Sequence, residues 1–383
     1  MEDYLGKDIP KLGFGLMRLP RKGDKPDDPI DIEQVKQMVD EFLAAGFTYF
    51  DTARVYSGSE AAIKEALVDR YPRDSYQLAT KNASWIDAKN ADEAKAMFDK
   101  SLEETGAGYF DFYLLHNVGA GRTKVFDDFG MWDFIVQKKK EGLVKHVGFS
   151  FHDQANVLDQ VLNEHDDIVE FVQLQVNYAD WNAAYVQSGK CFETARKHGK
   201  PVVIMEPVKG GMLADPPAPV KKILKEANPD ASCASWALRF VAELDGVITI
   251  LSGMSNIEQM RDNIATFKDI KPLSASEREV IKDAQNALAN MGLVECTGCR
   301  YCTKGCPKNI NIPAVFSAVN MYRMFGDLVP AKNHYNFETG GIHASECIQC
   351  GQCENACPQG LPIIKELADA SKLFDVDDEK AAK

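Results

Sequence analysis

The chain has 383 residues, 45% hydrophobic and 26% charged, with a mean hydropathy of -0.28; it carries enough apolar material for a buried core, which excludes disorder over most of its length. Lysine and arginine number 44 against 57 aspartates and glutamates, a net charge of -13, so the surface repels phosphate backbones and anionic lipid and nucleic acid is a poor partner. The opening MEDYLGKDIP has no basic stretch followed by an apolar one, and no apolar run reaches the ~18 residues of a membrane span, so the expectation is a cytoplasmic protein.

At ~100 to 200 residues per domain the length fits two domains, or one large barrel with an appendage. Up to about residue 270, short apolar runs at 12–15, 48–51, 76–80, 110–115, 146–150, 171–175, 202–206 and 247–251 alternate with stretches of helical length, among them 32–45, 60–71, 91–105, 129–141 and 233–242. Eight β/α alternations over ~250 residues predict an α/β TIM (β/α)8 barrel spanning 1–270. A doubly wound sheet lacks support, because no G-x-G-x-x-G joins a strand to a helix. A helix at 256–263 follows the last strand, and Pro272 then precedes a second, 274–291, with Ser274 as its cap and Glu277 three residues on. The segment 271–291 reads as a helical connector, 292–365 as a cysteine-rich domain and 366–383, with DVDDEK, as an acidic tail.

Of 10 cysteines only Cys191 and Cys233 precede residue 296, and both sit in helical stretches as small buried hydrophobes. Cys296, Cys299, Cys302 and Cys306 followed by Pro307 have the spacing C-x2-C-x2-C-x3-C-P, and Cys347, Cys350, Cys353, Cys357 and Pro358 repeat it. Closely spaced thiolates hold three irons of one cubane, and the fourth cysteine, ahead of a proline, reaches the other cluster. The expected partition is therefore crossed: one 4Fe-4S cluster on Cys296, Cys299, Cys302 and Cys357, the other on Cys347, Cys350, Cys353 and Cys306. Structural zinc also uses C-x2-C pairs but rarely this third spacing and proline, and a cytosolic chain disfavours disulfides. The spacer 307–346, with helical periodicity at 313–325, resembles the mainly helical ferredoxin-like modules that carry electrons in larger reductases.

In such a barrel the chemistry sits at the C-terminal ends of the strands. Asp51 ends the second strand in FDTARVYSGSE, Tyr56 follows in its loop, Lys81 ends the third in LATKN and His116 ends the fourth in YLLHN. Singly these read as a helix cap, a rim residue, a solvated charge and a core histidine; together they are four proton-handling groups from three successive strand ends. A phenol titrates near ~10, so a neighbouring Lys81 ammonium is expected to make Tyr56 more acidic, with Asp51 holding Lys81 protonated and His116 donating to a substrate oxygen.

The tetrad, with LGFGLMRLP, YFDFYLLHN, HVGFS, QLQVNY, EPVKGGML and EQMRDNI, resembles the aldo-keto reductase family over most of residues 1–270. The resemblance implies that Tyr56 is the general acid that protonates a carbonyl oxygen, or the base in alcohol oxidation, as hydride moves to or from NAD(P)H, and that Ser150, Gln175 and Asn263 contact that cofactor. Gly210 and Gly211 in KGGML suit a backbone that approaches its pyrophosphate. Phe151 stands where the family usually has Asn, Met205 replaces the ring that stacks on the nicotinamide, and the positions that commonly grip a 2′-phosphate align with the uncharged Gly253 and Gln259, with Arg261 close by. His152, Trp85, Trp132 and Trp181 are candidates to border the substrate pocket, or else surface and packing residues.

A nicotinamide gives two electrons together whereas a cluster passes one at a time. A flavin in the barrel, or a radical at the substrate, is one way to bridge the two, and a ferredoxin or other redox protein is an expected electron partner. The alternative is a non-catalytic redox sensor or electron-transfer subunit docked on a partner enzyme.

Overall fold

A computed structural model describes residues 4–23, 28–183, 186–294, 296, 300–357 and 361–376. The chain divides into two compact units, the first comprising 1–182, 186–214 and 230–278, the second 183–185, 215–229 and 279–383. In the first, eight parallel strands close into a barrel in sequence order: β1 Leu12–Gly15, β2 Tyr49–Asp51, β3 Gln77–Asn82, β4 Phe110–Val118, β5 Val144–Phe151, β6 Phe171–Gln175, β7 Val202–Met205 and β8 Val247–Ser252.

Each strand presents alternate side chains to the barrel interior. Tyr49, Ala79, Phe112, Leu114, Phe171 and Val203 fill it, and the next positions on those faces are Asp51, Lys81, His116, Gln173 and Met205. Asp51 pairs with Ala79 across β2 and β3, which puts Lys81 two residues further up the same face. The apolar floor thus gives way to polar groups at the C-terminal mouth. Behind the strands, Phe14, Phe42, Phe50, Phe98, Leu158 and Ile204 belong to the layer that packs the helices on the barrel. Gly148 is required where β5 meets β6: a Cβ there would lie 2.3 Å from the Phe171 carbonyl oxygen.

β4 runs beyond the expected 115. Its register with β5 shifts between Leu115 and Val118, and Asn117 turns left-handed at φ 60°, donating its backbone N–H to Ser150 Oγ at 2.8 Å. The expected helix 60–71 is instead Ser59–Ile63 followed by a π-helical turn, Lys64–Val68. The helix Ala275–Ala289 starts at the expected reciprocal cap, Ser274 N–H donating to Glu277 at 2.8 Å and Glu277 N–H to Ser274 Oγ at 3.2 Å.

The second unit is mainly helical, with Ile312–Phe325, Leu328–Thr339 and Ile363–Phe374 as its longest helices beyond residue 290. Phe316, Val319, Tyr335, Leu367 and Phe374 form its core, the Tyr335 and Phe374 rings stacking 4.8 Å apart. The Tyr335 hydroxyl accepts from Ala344 N–H at 2.6 Å and donates to Asp375 at 2.9 Å. The packed helix Ile363–Phe374 runs past the expected boundary at 365, because Leu367, Ala370 and Phe374 are buried; residues 377–383 of the expected tail lie outside the described residues. Among the described residues no helix is long and apolar enough to cross a membrane.

Candidate active site and cysteine pocket

Lys81 is 1% exposed and Asp51 3%. Burying an ammonium this deeply requires a full set of acceptors, and Lys81 Nζ has them: Asp51 Oδ1 at 2.5 Å, the Thr52 carbonyl at 2.8 Å and Tyr56 Oη at 3.3 Å. The second Asp51 oxygen accepts from Gln173 Nε2 at 3.2 Å. The Tyr56 oxygen is therefore an acceptor toward Lys81, and its own proton remains for another partner. His116 meets the Tyr56 ring edge-on, with centroids 5.9 Å apart; its backbone carbonyl accepts from Trp85 Nε1 at 2.7 Å, and its Nδ1 is buried without a partner. All four tetrad residues thus meet at one mouth.

Burial works against charge on Lys81, but Asp51 and then Tyr56 outweigh it and hold the ammonium above its usual pKa. Burial pushes the Asp51 carboxyl up further than Lys81 pulls it down. The expectation that Lys81 makes Tyr56 more acidic is corrected in its net sign: desolvation raises the phenol, Lys81 pulls it back, and Asp51 and Glu206 push it up again, leaving it above 10.0. Tyr56 retains some accessible surface yet lies deep enough for desolvation to win. His116 is driven well below 6.5, first by burial and then by Lys81, His152 and Arg122, so it is neutral at physiological pH.

The residues expected at a cofactor lie on β5 to β8. Gln175 gives Nε2 to Asp180 at 3.1 Å and turns Oε1 toward His152 Nδ1 at 3.4 Å. Asp180 also accepts from Asn177 at 2.9 Å and, through Oδ1, from Lys209 at 2.5 Å. Lys209 and Asp180 are 8% and 3% exposed, a second buried ion pair; burial opposes the Asp180 charge, but Lys209 and the amides hold its carboxyl below the usual value. After β7 the backbone is left-handed at Glu206, Lys209, Gly210 and Gly211, with φ 52°, 48°, 65° and 99°. A Cβ on Gly210 would lie 3.0 Å from the Arg18 guanidinium, so a bare backbone turn faces a cation there, a cradle suited to a pyrophosphate.

Ser150 is buried and its hydroxyl already accepts from Asn117. Asn263, also buried, donates to Ser252 at 2.7 Å. Arg261 is engaged by Glu41 at 2.7 and 2.9 Å, and Gln259 by the Ser255 N–H at 2.7 Å. Phe151 packs behind the sheet against Phe149, away from the mouth, whereas Met205 pairs in register with Gln175. Of the tryptophans, Trp85 borders the site through His116; Trp132 stacks on His165 at 3.9 Å and Trp181 packs on Phe240 at 5.4 Å. Gln173, Asp180, Lys209, Arg18 and Glu206 were not anticipated. Gln173 could have been found from its period-2 spacing to Gln175, and Lys209 from its place in KGGML.

In the second unit Cys306, Cys347, Cys350 and Cys353 line one pocket with Ile310 and Leu367. They are the four cysteines of one set in the crossed partition. Of the other set, Cys302 is buried, Cys296 and Cys357 are partly buried, and Cys299 lies outside the described residues. Among the described residues no three His, Cys, Asp or Glu are grouped to hold a single metal ion; a cubane presents separate iron corners to its thiolates. Cys191 and Cys233 are buried, and desolvation pushes the Cys191 thiol up to about 12, in keeping with packing roles.

The sequence model of the Aldo/keto reductase family matches residues 11–286, and that of a 4Fe-4S dicluster domain matches 295–361. An uncharacterized oxidoreductase of Bacillus subtilis is 23% identical over 318 residues, covering 73% of this chain and 96% of that protein. An aldo-keto reductase structure from Bacillus halodurans, a holo form, is 25% identical with a TM-score of 0.57, covering 74% of this chain and 95% of that one. One from Klebsiella pneumoniae, in complex with NADP and acetate, is 19% identical with a TM-score of 0.56, covering 72% and 90%. The chain therefore belongs to the aldo/keto reductase family, an oxidoreductase barrel followed by a 4Fe-4S domain.

Proposed function

We propose that the barrel interconverts a carbonyl and an alcohol on a small molecule, with Tyr56 as general acid in reduction and base in oxidation. The observation that carries this is the Lys81–Tyr56 contact at 3.3 Å, in which the phenol oxygen accepts and the phenol proton stays available. A raised pKa keeps Tyr56 protonated, as an acid must be; as its proton passes to the substrate oxygen, Lys81 stabilises the phenolate left behind. Nδ1 of His116 finds no acceptor, so the proton of the neutral imidazole belongs on Nε2, which donates to the same oxygen and orients it.

A nicotinamide, when bound, supplies hydride. The Gly210–Gly211 turn beneath Arg18 suits its pyrophosphate, Gln175 and Ser150 its carboxamide and Asn263 its adenine side. With Nε2 held by Asp180, Gln175 offers its oxygen as an acceptor. Glu41 occupies Arg261, so no cation stands ready for a 2′-phosphate at that position, and NADH is expected to serve at least as well as NADPH. Two 4Fe-4S clusters in the crossed arrangement relay single electrons between a redox protein such as ferredoxin and the barrel; the cysteine pocket supports one of the two sets.

The test is Tyr56→Phe, assayed anaerobically on an aromatic aldehyde with NADH, NADPH and a reduced low-potential dye. Loss of reduction is expected; undiminished turnover refutes the role of Tyr56. Titration of the protein with NADH, NADPH and free flavins, followed through the cluster absorbance, tests the cofactor assignment. Failure of every nucleotide and substrate to bind would leave a redox sensor or docking subunit as the reading.

A further inference from the structure

The rim of the barrel beside His116 carries a cation with no acid on it. Arg122, in the loop after β4, places its guanidinium 4.9 Å from the Trp85 ring and donates to Asn117 Oδ1 at 3.3 Å; among the described residues it forms no ion pair. Both contacts lead directly to the catalytic histidine, since Trp85 Nε1 donates to the His116 carbonyl at 2.7 Å and Asn117 is the next residue. A place over an indole ring and a single neutral acceptor hold a guanidinium while leaving most of its N–H groups unused. The nearby acid, Asp153, is committed to the loop backbone through Ala120 N–H at 2.9 Å. His152, the next polar residue around the mouth, is exposed and tied to Gln175 at 3.4 Å.

The charges around the mouth are therefore separated. The β4 and β5 side carries the Arg122 cation beside the neutral His116. Glu206, whose side chain makes no hydrogen bond or ion pair among the described residues, bears on Tyr56 from the β7 side, and Asp51 is neutralised by Lys81 below. A substrate whose carbonyl oxygen sits between Tyr56 and His116 has its substituents directed to one side or the other; Arg18, at the Gly210 turn after β7, faces the cradle assigned to a pyrophosphate, which leaves the β4 side to an anionic substituent. A guanidinium with an open fork matches a planar carboxylate better than a compact charge does.

We infer that Arg122, held by Trp85 and Asn117, is a substrate-recognition residue that takes the carboxylate of a carbonyl compound, so that the barrel acts on oxo acids or carboxylate-bearing aldehydes in preference to neutral ones. This rests on the proposed carbonyl chemistry at Tyr56 and adds the substrate class.

The test uses the full-length, anaerobically purified protein and two probes that differ only in charge, 4-carboxybenzaldehyde and its methyl ester. Binding of each is measured by calorimetry, which needs no turnover, and kcat and KM are taken wherever turnover occurs. The wild type is expected to favour the acid at least tenfold, and Arg122→Gln to reduce that acid-to-ester ratio by about 10- to 100-fold, mainly through KM, as for a hydrogen bond to a charged group; Arg122→Lys should restore only part of it. Equal affinity for acid and ester in the wild type, or an unchanged ratio in Arg122→Gln, overturns the inference. Turnover of the ester by Tyr56→Phe at the wild-type rate would instead overturn the proposed chemistry, and the binding ratio would still decide the role of Arg122.

Discussion

Replacing Lys81 by Met removes the ammonium 3.3 Å from the Tyr56 oxygen. A charge pair at that distance is worth about 5 kcal/mol at an effective dielectric of 20 and about 1.3 kcal/mol in water. Tyr56 keeps some accessible surface, so an intermediate value of ~3 kcal/mol is appropriate, which corresponds to a fall in kcat on the order of 100-fold. The same substitution strands Asp51, 3% exposed, with Gln173 as its remaining side-chain partner; an unpaired buried charge costs about 3–5 kcal/mol of stability. The double variant Asp51→Asn/Lys81→Met removes both charges and should recover most of that stability while remaining catalytically poor, which separates misfolding from lost chemistry. Initial rates of aldehyde reduction from pH 6 to 11, with thermal unfolding of each variant, are the assay. In the proposed reduction the reactive form is the protonated phenol, whose pKa is raised above 10.0; activity is therefore expected below that pKa and lost above it. Without Lys81 the phenol rises further, so the alkaline limb moves to higher pH even as the plateau falls. A folded double variant that retains more than a fifth of wild-type kcat would refute the assignment.

The clusters, the second ion pair and the histidine give three further expectations. Anaerobic protein should contain about eight irons per chain, with Cys296→Ala and Cys306→Ala each halving that number and abolishing different electron paramagnetic resonance signals; loss of the same signal in both rules out crossed ligation. Lys209→Met, which leaves Asp180 buried beside two amides, should destabilise the barrel by about 3–5 kcal/mol in chemical denaturation, and Asp180→Asn added to it should recover much of the loss; a Lys209→Met protein as stable as wild type means the pair is solvated. Because the His116 pKa lies well below 6.5, reduction should show no acid limb near 6.5. In the same window the unfolded chain binds a proton that the fold excludes, so stability falls as pH drops below 6.5, and His116→Gln should blunt that fall in thermal unfolding.

The barrel was legible because its signal is local and repeated. Each strand is a short stretch centred on apolar residues, and three of the tetrad stand where such a stretch ends in a polar side chain, as Asp51 does in YFD. Strand ends were less legible because they depend on partners distant in sequence. β4 continues past His116 since Asn117 finds the Ser150 hydroxyl, 33 residues away, and nothing in LLHNV announces that acceptor. The cysteine sets were readable from spacing, including the placing of Cys306 with Cys347, Cys350 and Cys353, because the fourth cysteine before a proline reaches the other cluster; the same four line one pocket. Asp180 and Lys209 are 29 residues apart; KGGML marks Lys209 as a residue of the cofactor loop, but nothing in NYAD announces Asp180 as its partner, and Arg122 in GAGRTK reads as an ordinary surface charge until Trp85 is seen beside it.

The sign of the Tyr56 shift is a harder case. Residue types show that an ammonium neighbours a phenol, and the charge term alone predicts a more acidic tyrosine. They do not give the depth of the phenol, and desolvation opposes the charge with a comparable magnitude; Asp51, required to keep Lys81 buried, adds to the opposition. The result is a resting acid that holds its proton. This favours the chemistry, because an ammonium that stabilised phenolate fully at rest would lower ground state and transition state alike. At 3.3 Å the Lys81 contact is the longest of its three, so there is room for it to shorten as negative charge develops on Tyr56, and the stabilisation then falls on the step that transfers the proton.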